Sequence, residues 1–306
     1  MFKRKDNRCF RAPHRMKSRC SKLRVDGKVL SNKDDLPGAW ANHFSKLSKS
    51  RVLSDEGLKQ LGNKINDLAT ASLSNNEYIL DVPFTLEEVE CAIKKLKSRK
   101  SCGPDGLSAE HLKWGGDSLY LWLLGIVNSI IDLEEIPPLF KLGSICPVYK
   151  GGGKDLLLTN NYRGITVNSV LSKVLEILVL SRLEPTLSEA GFPHLNQSAF
   201  RKHTGCGDAI FATQELIARY ISEGSSVHMC LFDLAKAFDS VEVPVMLDKL
   251  FSISVNGKTW RLIRNWYEKG KCFVHVDGLS STPFPVERGV RQGSILSPTM
   301  FSWTHS

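Results

Sequence analysis

The chain has 306 residues, 42% of them hydrophobic and 24% charged, which allows one large domain or two smaller ones and excludes both a disulfide-stapled miniprotein and wholesale disorder. Its formal charge of +9 is concentrated at one end: Met1–Arg24 carries ten Lys or Arg against Asp6, while the remaining 31 bases and 31 acids cancel. The longest apolar stretch, Leu119–Ile131, is interrupted by Gly125, Asn128 and Ser129 and falls short of the roughly 20 residues a bilayer span needs, so no membrane crossing is expected.

The basic arm, residues 1–30, is expected to be disordered, either as a solvated tail or as an attractor of nucleic acid. No apolar run follows it, so it does not read as a secretory signal. Eight cysteines without a CxxC pair suit reduced thiols in an intracellular setting, cytoplasm and/or nucleus. Residues 31–80 read as a helical lead-in, with Trp40, Phe44 and Leu47 on one face and Leu58, Leu61, Ile65 and Leu68 on another.

Thr85-x-x-Glu88 is a capping box. Leu86, Val89, Ile93 and Leu96 form the stripe of the helix it starts, which should run to about Lys97. Lys97, Arg99 and Lys100 then enter Cys102-Gly-Pro-Asp-Gly106, a tight turn that either brings backbone amides to phosphate or simply connects two helices. A second helix, Asp117–Leu133, turns Leu119, Leu123, Ile126, Val127 and Ile130 inward and stops before Pro137-Pro138. Ile145–Tyr149 and Tyr162–Val167 read as a hairpin around Lys150-Gly-Gly-Gly-Lys154, which is not a P-loop because Asp155 follows the lysine.

Helices are expected at Ser169–Leu187 and Asp208–Ser222, the second with Ile210, Gln214, Ile217 and Ile221 inward. Val227–Phe232 reads as a buried strand delivering Asp233 at its end, where a carboxylate either holds a divalent ion or caps a helix. Helices from Pro244 to about Phe251 and over Thr259–Lys269 follow, the latter with Gly270 as its carboxyl-terminal cap. Cys272–Val276 and Pro283–Glu287 form a hairpin around Asp277-Gly278.

The order of these signals is more specific than any one of them. The chain resembles the reverse transcriptase region of non-LTR, LINE-like (jockey-like) retrotransposons. The resemblance rests on five matches in sequence: the GPDG turn after Phe84, Asn161-Tyr-Arg-Gly-Ile165 (NYRPI), Gln197-Ser-Ala-Phe-Arg-Lys202 (QFGFRK), Phe232-Asp-Leu-Ala-Lys-Ala-Phe-Asp239 (FDLSKAFD) and Gly289-Val-Arg-Gln-Gly-Ser294 with Leu296-Ser-Pro298. The implied fold is α+β: a right-hand polymerase with fingers over 81–225, then a partial palm over 226–306. That palm would be ferredoxin-like but without its catalytic hairpin.

Template-directed nucleotide addition is carried by two metal ions and by positioning. The resemblance accordingly implies Mg2+ as cofactor, with RNA template and DNA primer as partners. Asp233 would be the catalytic metal ligand, helped by the backbone carbonyl of Leu234, and Arg163 with one of the two turn lysines, Lys150 or Lys154, would hold the triphosphate. Phe238 would lie under the incoming sugar, and Gln292 and Gly293 would approach the nascent base pair. Lys97, Arg99, Lys100, Gly103 and Arg201 would contact nucleic acid.

The family's second carboxylate motif, a pair of adjacent aspartates downstream of the glutamine-glycine motif, is absent from these 306 residues; their one Asp-Asp pair is Asp34-Asp35. Gly164 and Ala199 also stand where the family has proline and glycine. The chain therefore reads as a truncated polymerase, inactive alone. A non-catalytic RNA-binding or interaction role, and catalysis after assembly with a second chain, stay open.

Overall fold

The computed structural model describes residues 22–25, 27–50, 55–73, 82–201 and 203–305. The expected disorder of the basic arm therefore lies outside the described residues up to position 21. It fails for the rest of the arm, because Leu23–Val25 (β1) and Lys28–Leu30 (β2) form an antiparallel hairpin. Leu23 is fully buried, the Arg24 amide donates to the Leu157 carbonyl, and its guanidinium pairs with Asp155 at 3.2 Å. One buried leucine and a backbone bond to a distant loop order what charge counting assigns to a tail.

The lead-in is two helices, α1 (Leu36–Leu47) and α2 (Glu56–Ala71). Next come α3 (Leu86–Lys95), α4 (Ala109–Lys113) and α5 (Gly116–Leu133). The capping box at Thr85 forms: the Glu88 amide donates to Thr85 Oγ1 and the Thr85 amide to Glu88 Oε2. By length and composition α5 could cross a membrane. In this fold Leu123, Val127, Ile130 and Ile131 are buried, while Ile126, expected inside, joins Leu121, Trp122 and Leu133 on an exposed face.

The hairpin forms from β3 (Leu142–Tyr149) and β4 (Tyr162–Asn168) in antiparallel register, Ile145 opposite Thr166. The long helix α6 (Val170–Glu189) is capped by Ser169, whose Oγ accepts from the Leu171 amide. Then follow α7 (Cys206–Ser222), α8 (Val243–Ser252) and α9 (Gly257–Glu268). The chain closes with β5 (Lys271–Val276), β6 (Leu279–Ser280), β7 (Phe284–Pro285) and α10 (Ser297–His305). Strand order is β4-β3-β5-β6, with β7 also on β5 and β3 parallel to β5. Helices mix with one largely antiparallel sheet, an α+β arrangement.

Two apolar clusters hold this together. The larger gathers α3, α5, α6, α8 and α9 around fully buried Val89, Leu175, Leu183, Met246 and Trp260. The smaller packs Leu23, Trp40 and Phe44 against Ile145, Tyr162 and Val274 of the sheet. Fully burying a side chain of this size is worth roughly 1.5–3 kcal/mol, so the lead-in helix α1 is held firmly on the sheet.

Two expectations fail between α6 and α8. Residues 227–232 are not a strand: no strand pairs with them among the described residues, and Leu231 and Phe232 are 83% and 91% exposed. An apolar run extends into a ladder only where another edge takes up its amides and carbonyls. Helix α7 forms, but Ile210 and Ile221 lie exposed and Ile217 only partly covered, because no element among the described residues buries its stripe. Gly270 corrects a third point. It takes no left-handed φ; a Cβ there would stand 2.7 Å from Arg291 Nη2, so the glycine serves that close approach.

Candidate nucleotide and nucleic-acid site

The Lys150–Lys154 turn is possible because Gly151, Gly152 and Gly153 take φ of +80, +73 and +68°, a run that L side chains adopt only with strain. The turn is tied back on itself. Lys150 N donates to the Asn161 carbonyl at 2.9 Å, Tyr149 Oη to the Lys154 carbonyl, and Asn161 Nδ2 to the Asp155 carbonyl at 2.8 Å. Lys150 Nζ donates to the Asn160 carbonyl at 2.7 Å. Arg163 is exposed on β4, opposite Val148.

Lys236 joins this turn from far along the chain, its Nζ donating to Asn160 Oδ1 at 3.3 Å. Burial first, then Lys154, Lys236 and Arg163, hold the Lys150 ammonium below its usual range. His43, reaching in from α1, is lowered to about 4, mainly by burial and then by Lys236, Lys150 and Lys46. The result is a crowd of like charges from three separate elements. Gly164, departing from the family's proline, has a local reason: a Cβ there would lie 2.6 Å from Phe44 Cε1, so the α1 aromatic fills the space a side chain would take.

The FDLAKAFD segment divides into two halves. Asp233 and Leu234 sit on the exposed stretch. From Lys236, at φ +54°, the chain enters a 3₁₀ turn, Ala237–Ser240, and becomes knitted in. Phe238 stacks on Phe301 at 4.6 Å and meets Phe200 edge-on. The Val290 amide donates to the Phe238 carbonyl and the Gly289 amide to the Val241 carbonyl, both at 2.8 Å. Asp239 is raised by burial against the opposing pull of Lys236, the Gln292 amide and Lys150, and Gln292 Nε2 donates to its Oδ1 at 3.4 Å.

The glutamine-glycine motif is equally fixed. The Thr166 amide donates to the Gln292 carbonyl at 2.7 Å, and a Cβ on Gly293, at φ +125°, would lie 2.3 Å from the Thr166 carbonyl oxygen. Glu176 of α6 is the hidden tie: it accepts from Ser294 Oγ at 2.7 Å, Leu296 N at 3.2 Å and Ile295 N. Burial pushes its carboxyl up, opposed by those bonds. Arg288 pairs with Glu242 at 2.7 Å.

A groove of about 700 Å³ runs beneath this motif. Lys97, Lys100, Lys173 and Gly293 are among its lining residues, and burial lowers Lys173. Arg99 is exposed nearby, its amide donating to Glu110. Gly103 is tight for a structural reason: a Cβ would come within 2.7 Å of the Asn168 and Ser169 backbone, where Asp105 Oδ2 accepts from Ser169 Oγ. Arg201 lines an adjacent cavity that shares Leu180, Ser181 and Glu184 with the groove, and donates to the Leu195 carbonyl at 3.0 Å.

Asp233 is not brought to any of these groups. Among the described residues no three His, Cys, Asp or Glu side chains gather as metal ligands. A lone exposed carboxylate does not fit the bridged pair of divalent ions such chemistry uses, so the expected ligand pair Asp233 and Leu234 is not an assembled site here. The sequence reading also missed Lys236, His43, Asn160 and Glu176 as parts of the site. Lys236 lies inside a quoted motif and Glu176 in a helix read as core, but nothing in their spacing announces which distant elements they meet.

The model of the reverse transcriptase (RNA-dependent DNA polymerase) family matches residues 149–305, about half the chain and the stretch that holds the lysine turn, the FDLAKAFD segment and the glutamine-glycine motif. The chain belongs to that family, and within it is a reverse transcriptase region of the non-LTR, LINE-like kind. It is similar to the RNA-directed DNA polymerase from mobile element jockey of Drosophila funebris, 31% identical over 220 residues, which is 72% of this chain and 24% of that protein. It is also similar to the Drosophila melanogaster jockey polymerase, 27% identical over 274 residues, covering 87% and 29%. The Transposon TX1 149 kDa protein of Xenopus laevis is 26% identical over 277 residues, covering 90% and 21%. The chain thus spans less than a third of the length of these relatives. Members of the family use divalent metal ions, typically Mg2+, and bind an RNA template and a primer.

Proposed function

We propose that these residues are the nucleotide- and template-handling part of an RNA-directed DNA polymerase acting on an RNA template and a DNA primer, in the cytoplasm and/or nucleus, and that these 306 residues alone add no nucleotide. Residues 81–225 then serve as fingers and 226–306 as a ferredoxin-like palm lacking its catalytic hairpin. The observation carrying this reading is the joining of the lysine turn to the second half of FDLAKAFD and, through Asp239 and Gln292, to the glutamine-glycine motif.

In this reading Lys150 and Arg163 neutralise the triphosphate. Phe238 and Gln292 border the incoming nucleotide, while Gly293, which also lines the groove, lies beside the templating strand. Lys97, Arg99, Lys100, Gly103 and Arg201 follow the strand along α6. Phosphate contacts of this type hold a strand without reading its sequence. The isolated residues fall short at the metal pair in this reading, because no cluster of metal-ligating side chains gathers at Asp233 among the described residues.

Primer extension on a primed RNA template, with Mg2+ or Mn2+ and all four deoxynucleotides, tests this directly. The purified chain is expected to give no product above Asp233→Ala, yet to bind the primed template with an affinity that falls steeply with salt. Extension that Asp233→Ala removes would overturn the claim of inactivity, and salt-insensitive binding would overturn the groove.

A further inference from the structure

Lys150 and Lys236 are 86 positions apart, yet both ammonium groups bond to one residue, Lys150 to the backbone oxygen of Asn160 and Lys236 to its side-chain oxygen. Two cations on one residue stand well inside the screening length, about 8 Å at physiological ionic strength. Lys154 and Arg163 add to the same field. Among the described residues no carboxylate lies within ion-pair distance of Lys150, Lys154, Arg163 or Lys236, although surface lysines elsewhere, such as Lys64 on Asp248 at 2.7 Å, find one. Asp239 is the acid that acts on Lys150, and burial raises its own carboxyl above the usual range.

Holding like charges together without a counter-charge costs free energy, and that cost is recovered when an anion of matching charge enters. Neutral oxygens of Asn160 align the ammonium groups without cancelling them. The left-handed glycines let the turn approach an anion without side chains in the way. We propose that Lys236 is a polyphosphate-binding residue of this pocket, held beside Lys150 by Asn160 so that the two grip adjacent phosphates of a nucleoside triphosphate. The inference rests on reading the lysine turn as the triphosphate site, and adds to it a cation from the segment that also carries Phe238. Triphosphate binding would then pull Lys236 and the turn together, tightening the link that Asn160 makes between them.

The test measures binding of inorganic tripolyphosphate, and separately of a deoxynucleoside triphosphate, to the purified chain by calorimetry, with no template present. Variants are Lys236→Gln, Lys236→Arg, Asn160→Ala, Lys150→Gln, Arg163→Gln and, as a control for bulk charge, Lys59→Gln on α2. Lys236→Gln is expected to weaken both ligands about tenfold, the size of one charge-assisted contact. Lys236→Arg should restore most of the loss, Asn160→Ala should weaken binding less, and Lys59→Gln should leave it unchanged. Lys236 is exposed, so its variants should melt like the parent. If Lys236→Gln matches Lys59→Gln while Lys150→Gln and Arg163→Gln weaken binding, the inference fails and the triphosphate reading stands. If neither Lys150→Gln nor Arg163→Gln changes binding, that reading fails, and the inference with it.

Discussion

Helices α7 and α9 both carry a face of large apolar side chains, and they end in opposite situations. In α9, Trp260, Leu262, Ile263 and Trp266 are all buried, and Trp260 Nε1 donates to the Leu247 carbonyl at 2.9 Å. In α7, the longer of the two, no residue is buried, and the following stretch through Leu234 is exposed as well. Amphipathic periodicity specifies which face of a helix is available for burial, but burial itself requires a second surface of matching shape. Helix α9 has α8 and α2 nearby to supply one; among the described residues no element does so for α7.

The largest expected effect follows from that contrast. Trp260→Ala should lower the unfolding free energy by about 3–5 kcal/mol, the range for deleting a buried tryptophan, read from urea denaturation. A loss under about 1 kcal/mol would mean that α9 is no better anchored than α7.

Leu23→Ala comes next, at about 2–3 kcal/mol, because Leu23 closes the smaller cluster over Trp40. Hydrogen exchange of β1 and β2 should accelerate together with that of α1. No change in either would return residues 22–30 to the arm.

A smaller effect depends on pH. His43 is lowered to about 4 in the fold against about 6.5 when exposed, so between these values the unfolded chain binds more protons and stability rises with pH. The contribution is complete above about 6.5 and lost as pH falls towards 4. His43→Asn should flatten the rise of the urea midpoint across this window, and an identical slope would show that neither burial nor the lysines around the turn lower His43.

The smallest effect is expected in the exposed half of the FDLAKAFD segment. Phe232→Ala should change stability by no more than about 0.5 kcal/mol, although the same substitution in a buried strand would cost about 3–5 kcal/mol. A loss of that larger size would show Phe232 buried in solution.

Local signals in the sequence determined a good deal. The capping box at Thr85, the hairpin around the glycine turn, Pro244 in the first turn of α8 and the left-handed Asp277-Gly278 pair follow from chemistry within a few residues. The order of the motifs was enough to place the chain in its family. Tertiary structure alone decided the rest, because partners distant in sequence leave no periodic trace. It ordered β1 and β2 through Leu23 and left Val227–Phe232 without a strand to pair with among the described residues. It also divided one motif between an exposed Asp233 and an anchored Asp239. Lys150 and Lys236 meet at Asn160, which offers them two oxygens from a loop that the fold carries between them; the physical reason is that electrostatic and packing energies depend on distance in space, which spacing along the chain does not encode.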